Sequence, residues 1–372
     1  MKRALELAES ASFITSPNPR VGCVLVDKVG SVIGEGHTQK VGAPHAEIMA
    51  LAQAAQNSAD TKGATVYVTL EPCAHTGRTP PCTNALINAG VSKVIASHID
   101  PNPKVSGQGF EKLRAAGIQV QVGLGADRAF ALNEGFVKRM TQSFPLVRLK
   151  IASSIDGATA LQNGASQWIT GESARKHAHS WRARSCALVT GIGTVLSDDP
   201  SLNVRFVSTP RQPKLVIVDA NLDTPISAKL FIEKRDVIIY CANTDLDKQK
   251  LLTQRGAFVV AMPDAAQPRR VDLKRMLADL ATKEINEIHI EAGAGLNTSF
   301  IELGLVDEYL IYLAPLILGN AKGWTELHAL ESLSMGKRLN FLESLHLEQD
   351  IFIRARATQT NLDVSVPDAA IA

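Results

Sequence analysis

Several features that mark extracellular, membrane-bound or nucleic-acid-binding proteins are scarce in this sequence. Only five of its 372 residues are cysteine, and aromatic residues make up 5%. Its apolar runs are all shorter than the roughly 20 residues that span a membrane. The N-terminal stretch MKRALELAES enters a helical pattern without a signal-peptide core. We therefore expect a cytoplasmic protein, in which paired cysteines serve metal sites or catalysis more often than disulfides.

An excess of charge of one sign is also missing. The 39 basic and 37 acidic residues give a net charge of +2, and the basic residues are scattered along the chain. Proteins that bind nucleic acids or anionic membranes broadly need a concentrated basic face. We therefore expect neither kind of partner. The low aromatic content also disfavours a nucleic-acid deaminase or binding module.

Alternating strand and helix patterns run through the whole sequence. A chain of 372 residues favours two domains, at roughly 100–200 residues per domain. The alternation breaks at Ser143–Phe144–Pro145, where we place the boundary between a domain at 1–144 and a domain at 145–372. Both halves are predicted to be α/β.

In the first half, the pattern predicts a β-hairpin at 22–26 and 31–36. Further strands are expected at 64–70, 91–99 and 118–124, and helices at 46–56, 82–90, around 110–116 and at 129–142. In the second half, strands are expected at 146–153, 186–193, 214–220, 236–242, 258–263, 287–295 and 308–318. The helices expected between them include 171–184, 272–283 and 299–304.

The stretch TLEPCAHTGRTPPC (69–82) contains two of the five cysteines, Cys73 and Cys82. Upstream, APHAEIMAL offers His45 and Glu47 directly after a helix-initiating proline. Residues two apart in the middle of a helix point about 200° apart. At a helix N-terminus, however, both side chains can bend toward an ion beyond the first turn. Cys82 also opens a predicted helix, and a helix N-terminus lowers the pKa of a thiol.

These residues predict a catalytic zinc site with one ion per chain. His45, Cys73 and Cys82 would be the ligands, which leaves the fourth position for water. Zinc lowers the pKa of bound water to about 7. Glu47, off the metal, would accept the proton and pass it to a leaving amine. This is the H-x-E plus P-C…C pattern of zinc-dependent nucleobase deaminases.

The residues leave alternatives open. A closed structural zinc site would add His75, His37 or Cys23 as a fourth ligand, and a chance cluster would hold no metal. Neither gives Glu47 a function. At the level of the whole protein, the alternatives are a zinc-stabilised interaction protein without catalysis, and a single-activity nucleobase or nucleoside deaminase with a non-catalytic second domain.

Longer stretches extend the zinc pattern into a family resemblance. Deaminases usually carry C-x-x-C, but eight residues separate the two cysteines here, and this longer loop resembles that of bifunctional riboflavin-biosynthesis deaminase–reductases. Three further stretches also resemble the deaminase domain of that family: SPNPRVGCVLV (16–26), GEGHTQKVGAPHAE (34–47) and DPNPKVSGQG (100–109). Its reductase domain is resembled by LKIASSIDG (149–157), SQWIT (166–170), TVLSDDPSLNVR (194–205) and EAGAGLNTSFIE (291–302).

The resemblance implies a hydrolase and an oxidoreductase in one chain. The first activity would hydrolyse the 2-amino group of 2,5-diamino-6-ribosylamino-4(3H)-pyrimidinone 5′-phosphate to give a uracil and ammonia. The second would use NADPH to reduce the ribose part to ribityl, giving 5-amino-6-ribitylamino-uracil 5′-phosphate. The implied folds are a cytidine-deaminase-like α/β/α domain followed by a dihydrofolate-reductase-like α/β domain. We also expect a homo-oligomer.

The resemblance further implies which residues contact NADPH and the substrate. The NADPH site would include Ala152, Trp168, Thr194, Asp198, Ala220, Gly293, Ala294, Gly295, Leu296, Asn297, Thr298 and Ser299. The substrate of the reductase would contact Ser166, Arg182, Leu202, Arg205 and Glu291, with Lys150 as a candidate partner of the ribose carbonyl. The substrate of the deaminase would contact Asn18, His75, Arg78 and Asn102.

The residues themselves support the NADPH site in part. A complete G-x-G-x-x-G is absent, so a standard dinucleotide-binding domain is not indicated. EIHIEAGAGLNTSFIE nevertheless predicts a strand, a glycine-rich turn and a helix start, with Ser299 and Glu302 spaced as a capping box. Free N–H groups at such a start bind phosphate. A tight turn and helix cap without a ligand is the alternative.

Overall fold

The computed structural model describes residues 1–76, 80–103 and 105–358. The chain folds as two compact units, Met1–Phe144 and a second unit that begins at Pro145. Strands and helices alternate in both, which confirms the α/β prediction for each half. Within the described ranges, every helix is too short or too polar to cross a membrane.

The first unit is built on a five-stranded sheet with the order β2-β1-β3-β4-β5. β1 pairs antiparallel with β2 and β3, so the predicted hairpin is confirmed, whereas β3, β4 and β5 are parallel. The elements are α1 (Lys2–Ser10), β1 (Gly22–Val26), β2 (Val32–His37), α2 (Ala46–Gln56), β3 (Thr65–Val68), α3 (Cys82–Asn88), β4 (Lys93–Ala96), α4 (Gln108–Ala115), β5 (Gln119–Val122) and α5 (Ala126–Gln142).

Glycine allows α2 to lie directly against β2. A Cβ atom added at Gly36 would come within 2.4 Å of the Ala46 carbonyl oxygen, and one at Gly34 within 2.2 Å of the Ala50 carbonyl oxygen. Any larger residue would push the helix away from the strand. This close approach fixes the N-terminus of α2, where His45 and Glu47 lie.

The second unit is built on a nine-stranded sheet with the order β11-β10-β9-β8-β12-β6-β13-β16-β15, beside a two-stranded β14-β7 ribbon. The strands from β11 to β13 are parallel, and β16 and β15 are antiparallel. The elements are β6 (Leu146–Ser154), β7 (Ala158–Ala160), α6 (Glu172–Arg184), β8 (Ala187–Gly191), α7 (Ile192–Asp198), β9 (Lys214–Val218), β10 (Val237–Cys241), α8 (Leu246–Gln254), β11 (Ala257–Ala261), α9 (Leu273–Thr282), β12 (Glu287–Ile290), α10 (Ala294–Glu302), β13 (Glu308–Ala314), β14 (Lys322–Gly323), β15 (Leu339–Leu347) and β16 (Asp350–Ala357).

A buried ion cluster crosses the centre of this larger sheet. The Arg148 side chain is 0% exposed; its Nη1 donates to Glu287 Oε2 at 2.6 Å and its Nε to Glu308 Oε2 at 2.7 Å. Arg354 Nη2 donates to the other Glu308 oxygen at 2.6 Å. Because Glu287, Arg148 and Glu308 lie on the adjacent strands β12, β6 and β13, the cluster stabilises their pairing.

The structure corrects several predicted boundaries. The helix expected at 299–304 begins at Ala294, with Gly293 as its N-cap and no side-chain cap. The capping box was therefore wrong: Ser299 lies inside the helix, and its Oγ donates to the Gly295 carbonyl at 3.0 Å. The strands expected at 287–295 and 308–318 end earlier, at Ile290 and Ala314.

Candidate active sites

His45 and Cys82 lie at two helix N-termini, as predicted. His45 is the N-cap residue of α2, with φ −75° and ψ 168°. Cys82 is the first residue of α3, after Pro81 as its N-cap. Cys73 comes from the loop after β3, and the N–H of Thr83 donates to its carbonyl at 3.2 Å. These contacts bring the three side chains together from separate parts of the sequence.

The three ligand atoms have the spacing of a tetrahedral zinc site. They all lie within 4.8 Å of one another. His45 Nδ1 is 3.7 Å from Cys73 Sγ and 3.4 Å from Cys82 Sγ. Zinc–sulfur and zinc–nitrogen bonds of about 2.3 and 2.1 Å put tetrahedral ligand atoms about 3.6 Å apart. One histidine nitrogen and two thiol sulfurs therefore fit zinc in type and in spacing.

The environment of Cys73 favours a thiolate. Hydrogen bonding from Cys82 is the main reason that the pKa of the Cys73 thiol is lowered. In addition to the thiol, the backbone N–H of Cys82 donates to Cys73 Sγ at 3.3 Å. Thiolate is the form of cysteine that binds metals. A backbone donor of this kind also orients the ligand toward the ion.

Glu47 lies beside the ligands but is not one of them. It is the second residue of α2, and it is 4% exposed. Burial, followed by the negative charge of Cys73, raises the pKa of its carboxyl group to about 7. A carboxyl group that titrates near neutrality can both accept and donate a proton.

A closed four-ligand site does not form in the described part of the chain. The cluster there contains only His45, Cys73 and Cys82, without His75, His37 or Cys23. The Nδ1 atom of His37 instead contacts the Thr38 carbonyl at 3.2 Å. Cys23 is fully buried in the core, where burial raises the pKa of its thiol. Three protein ligands would leave one position of a bound zinc ion for water, as in a catalytic site.

The structure gives less detail on the predicted substrate contacts of the first unit. The Asn18 carbonyl accepts a hydrogen bond from Thr15 Oγ1 at 2.6 Å, and the Asn102 carbonyl accepts one from the N–H of Val105 at 2.8 Å. Both residues thus stabilise turns through their backbones. His75 lies near Asp100, and burial raises the pKa of the Asp100 carboxyl group to about 6. Arg78 lies outside the described residues. All four assignments remain predictions.

Glu71 is a structurally important residue that the sequence reading missed. Its carboxylate is buried and accepts the backbone N–H groups of Asp100, Gly107 and Gly109 at 3.0, 2.9 and 2.7 Å. It therefore holds the loop of Asn102 next to the loop of Cys73. A charged residue directly after an apolar strand was the available signal.

All residues predicted for the reductase site line one cleft of the second unit, with a volume of about 2080 Å³. The cleft lies at the carboxyl ends of parallel strands, the usual place for ligands in α/β sheets. Its lining includes the predicted NADPH contacts Ala152, Trp168, Thr194, Asp198, Ala220, Gly293, Ala294, Gly295, Leu296, Asn297, Thr298 and Ser299. It also includes the predicted substrate contacts Lys150, Ser166, Arg182, Leu202, Arg205 and Glu291.

The N-terminus of α10 faces open space in this cleft. A Cβ atom added at Gly293 would meet no atom within 4 Å. The side chains of the next turn are engaged with the protein: Asn297 Nδ2 donates to the Trp324 carbonyl at 3.0 Å, and Thr298 Oγ1 accepts the N–H of Glu326 at 2.7 Å. Asn297 and Thr298 thus fix a neighbouring loop, which leaves the backbone N–H groups of the helix N-terminus available for a phosphate.

A charged cluster also lines the cleft. Arg182 pairs bidentately with Glu291, with Nε–Oε1 at 2.5 Å and Nη2–Oε2 at 2.8 Å. Lys150 Nζ lies 3.8 Å from Glu291 Oε2. Burial would raise the pKa of Glu291, but Arg182 and Lys150 outweigh it and hold that pKa well below its usual value. Burial also lowers the pKa of Lys150.

His179 is a further residue of this cleft that the sequence reading missed. It lies one helical turn before Arg182 on α6, and its ring contacts both Arg182 and Arg205. The spacing of three residues from a predicted substrate arginine was the only signal in the sequence.

Comparisons with known proteins cover almost the whole chain. Residues 145–353 match the family described as RibD C-terminal domain, and residues 1–98 match the cytidine and deoxycytidylate deaminase zinc-binding region. The chain is 45% identical over 364 residues to riboflavin biosynthesis protein RibD of Haemophilus influenzae, covering 93% of this chain and 94% of that protein. It is 42% identical to the Escherichia coli protein of the same name, covering 94% and 96%.

Solved structures show the same two-domain fold. The structure of Acinetobacter baumannii RibD, form 1, aligns with a TM-score of 0.87 at 42% identity and covers 96% of this chain and 98% of that chain. A diaminohydroxyphosphoribosylaminopyrimidine deaminase/5-amino-6-(5-phosphoribosylamino)uracil reductase from Thermotoga maritima aligns with a TM-score of 0.82 at 31% identity, covering 96% and 97%. These similarities confirm the expected fold classes of the two domains.

Proposed function

The chain belongs to the RibD family of bifunctional riboflavin-biosynthesis enzymes, and on this premise we propose how its residues divide the two reactions. It is a zinc-dependent deaminase and an NADPH-dependent reductase. The deaminase converts 2,5-diamino-6-ribosylamino-4(3H)-pyrimidinone 5′-phosphate into the corresponding uracil and ammonia. The reductase converts the ribosyl part of that uracil into ribityl.

His45, Cys73 and Cys82 would hold the zinc ion, and Glu47 would move the proton. When bound, zinc supplies a water that is acidic enough to act as a nucleophile at neutral pH. Glu47 takes a proton from the attacking water and delivers it to the leaving amine. The observation that carries this proposal is the convergence of three ligand atoms within 4.8 Å, next to a buried carboxyl group outside the ligand set.

In the reductase cleft, the chain would hold its two ligands by their phosphates. The N–H groups at the start of α10 bind the phosphates of NADPH, which supplies the hydride. Arg182 and Arg205 bind the 5′-phosphate of the substrate, because guanidinium groups pair well with phosphate oxygens. Lys150, held by Glu291, would donate a proton to the ribose ring oxygen, which leaves C1′ as the ring opens and C1′ is reduced; burial lowers the pKa of Lys150, which makes it a better proton donor.

We propose that the activities divide at the point where the two units divide, with the deaminase in 1–144 and the reductase in 145–372. All proposed zinc ligands and Glu47 lie before this point, and all proposed NADPH contacts lie after it.

The reductase unit offers a surface for a second copy of the chain. β15 forms the outer edge of the nine-stranded sheet and is exposed along most of its length, with Phe341 at 74%. An exposed apolar edge strand favours association, so we propose that the protein is a homo-oligomer. All five cysteines are free thiols, which supports the proposed cytoplasmic location.

A product assay tests the proposed function. The purified protein is incubated with the diaminopyrimidinone substrate, and ammonia release is measured before NADPH is added. We expect ammonia without NADPH, then NADPH oxidation and the ribityl product. Ammonia release without NADPH oxidation would instead support a single-activity deaminase.

A further inference from the structure

The His179 ring lies between the two arginines of the proposed phosphate site. Its Nδ1 is 3.1 Å from the backbone nitrogen of Arg205, and its Nε2 is 3.2 Å from Arg182 Nη1. The side chain is 3% exposed, yet it lines the cleft. Both neighbours are N–H donors, so two donors point at one ring.

A neutral imidazole cannot accept both hydrogen bonds, because one of its nitrogens carries a hydrogen. Arg182 Nη1 already donates to the Asn203 carbonyl at 2.9 Å. The backbone N–H of Arg205 is a single donor of fixed direction and it points at Nδ1, whereas one of the two hydrogens on Nη1 already has an acceptor in Asn203. We therefore assign the accepting nitrogen to Nδ1. The hydrogen is then on Nε2 and faces a second donor, Arg182 Nη1. Two donors in this arrangement lack an acceptor between them.

The charges around the ring keep it neutral. The groups that face it are Arg182, Arg205 and Lys150, which are cationic, and Glu291, which is anionic. Burial, followed by Arg182 and Arg205, lowers the pKa of His179 to about 3. The ring therefore offers one acceptor and one donor at any pH near neutrality.

His179 also packs against the residue that supports the Arg205 side chain. The rings of His179 and Phe206 meet edge to face, with 4.6 Å between their centroids, and the Arg205 guanidinium lies 5.1 Å from the centroid of Phe206. The ring thus fixes both the backbone of Arg205, through Nδ1, and the aromatic face beneath its guanidinium group.

We propose that His179 is a third residue of the substrate-phosphate site: its Nδ1 positions Arg205, and its Nε2–H, together with Arg182 Nη1, donates to one phosphate oxygen. An oxygen about 2.9 Å from each nitrogen would accept both hydrogen bonds. Such an oxygen supplies the acceptor that the two facing donors lack. The inference rests on the proposed function of Arg182 and Arg205 as phosphate ligands, and it adds a residue that discriminates phosphorylated from dephosphorylated substrate.

Two substitutions distinguish the proposed functions of the two ring nitrogens. His179→Asn places an amide oxygen near the Nδ1 position and leaves no donor at Nε2, whereas the longer side chain of His179→Gln can return an N–H donor there. The assay is reduction of the deaminated substrate by the full-length enzyme, with and without its 5′-phosphate. Reduction of the dephosphorylated substrate by the same variant is the control for folding, because it reports on the reductase unit that contains His179.

We expect His179→Asn to lower the ratio of kcat/KM for phosphorylated over dephosphorylated substrate on the order of tenfold, the effect of losing one hydrogen bond to a charged group. His179→Gln should keep most of the wild-type ratio. A wild-type ratio in His179→Asn would overturn the inference.

Arg205→Ala and an NMR measurement distinguish failure of the proposed phosphate site from failure of the inference about His179. If Arg205→Ala also kept the wild-type ratio, the proposed phosphate site itself would be wrong; if only Arg205→Ala lowered it, the role of His179 alone would be wrong. Should His179→Asn not fold, NMR of the wild-type protein can follow the Nε2–H proton, identified by its loss in His179→Gln. Its signal should move on addition of the phosphorylated product and stay in place with the dephosphorylated product; equal responses to both would contradict the inference.

Discussion

The two sites of this protein are built in opposite ways. The zinc site depends on three ligand atoms within 4.8 Å and one adjacent carboxyl group, all fixed by two helix N-termini and one loop. The reductase site is a cleft of about 2080 Å³, and its predicted contacts come from β6, α6, α7, α10 and the connecting loops. One site concentrates its chemistry in rare residue types, whereas the other spreads its binding over common ones.

This difference determines how each site responds to mutation. Each zinc ligand is indispensable, because a three-ligand site that loses one thiolate loses much of its affinity for the metal. In the cleft, every contact is one of many, so single substitutions should reduce binding rather than abolish it. Four substitutions distinguish these two kinds of site.

The largest effect is expected for Cys73→Ser. Zinc and deamination should be lost together, because serine does not replace a thiolate ligand; metal analysis and ammonia release measure the two quantities. Cys23→Ala is the matched control, since Cys23 is buried in the same unit but lies outside the ligand set. That control should keep one zinc ion per chain. Full zinc occupancy in Cys73→Ser would show that the Cys73 thiolate is not a zinc ligand.

Glu47→Gln should keep zinc but lower deamination by about 10²–10⁴, the range for losing a positioned acid or base. Reduction of the pre-deaminated substrate should stay near the wild-type rate, because Glu47 belongs to the other unit. Unchanged deamination would make Glu47 a structural residue. Loss of reduction in a folded variant would mean that the two sites are shared or coupled.

Arg205→Ala should lower kcat/KM for reduction by about 10-fold, while ammonia release stays nearly normal. Losing a hydrogen bond to a charged group lowers kcat/KM by roughly 10- to 150-fold. The lower end is expected here because Arg205 is exposed. Steady-state kinetics of both reactions on the same preparation test this. A complete loss of reduction would show that the cleft depends on single residues as strongly as the zinc site does.

An effect of similar size is expected for Gly293→Ala. The backbone there is extended, with φ −76° and ψ 172°, and the added methyl group meets no protein atom within 4 Å. The fold should therefore be unchanged, but the methyl group would stand where we place the NADPH phosphates. We expect the Kd for NADPH to rise about tenfold, equivalent to about 1.4 kcal/mol, as measured by calorimetry. Wild-type affinity for NADPH in this variant would show that the phosphates bind elsewhere and not at the N-terminus of α10.

The same contrast explains what could be predicted from the sequence. His45, Cys73 and Cys82 could be predicted from the residues alone, because cysteine is rare in this chain and local sequence features accompany the site. These features are the prolines, the predicted helix starts and a glutamate two residues after His45. The residues of the cleft are ordinary alanines, glycines and arginines. Apart from the glycine-rich turn before α10, only the family resemblance indicated them, since their meeting depends on strand order and not on spacing.

The errors in the fold have similar causes. The start of α10 was misplaced because two glycines suggested a turn, although Gly293 serves as the N-cap and Gly295 is accommodated in the first helical turn. The β15–β16 hairpin was missed because a register shift between Phe341 and Glu343 interrupts the apolar alternation of β15. His179 was not predicted, because the function that we propose for it depends on hydrogen placement between two arginines.

The buried cluster of Arg148, Glu287 and Glu308 makes the reductase unit sensitive to acid. Burial would raise the pKa of Glu308, but Arg148 and Arg354 outweigh it and hold the pKa well below its usual value. A carboxylate of this kind stabilises the folded state fully above its unfolded pKa of about 4.3, and the stabilisation is lost as the pH falls toward the folded value. Protonation would leave guanidinium groups buried without their counter-charge, so acid should loosen the central strands that align the cleft.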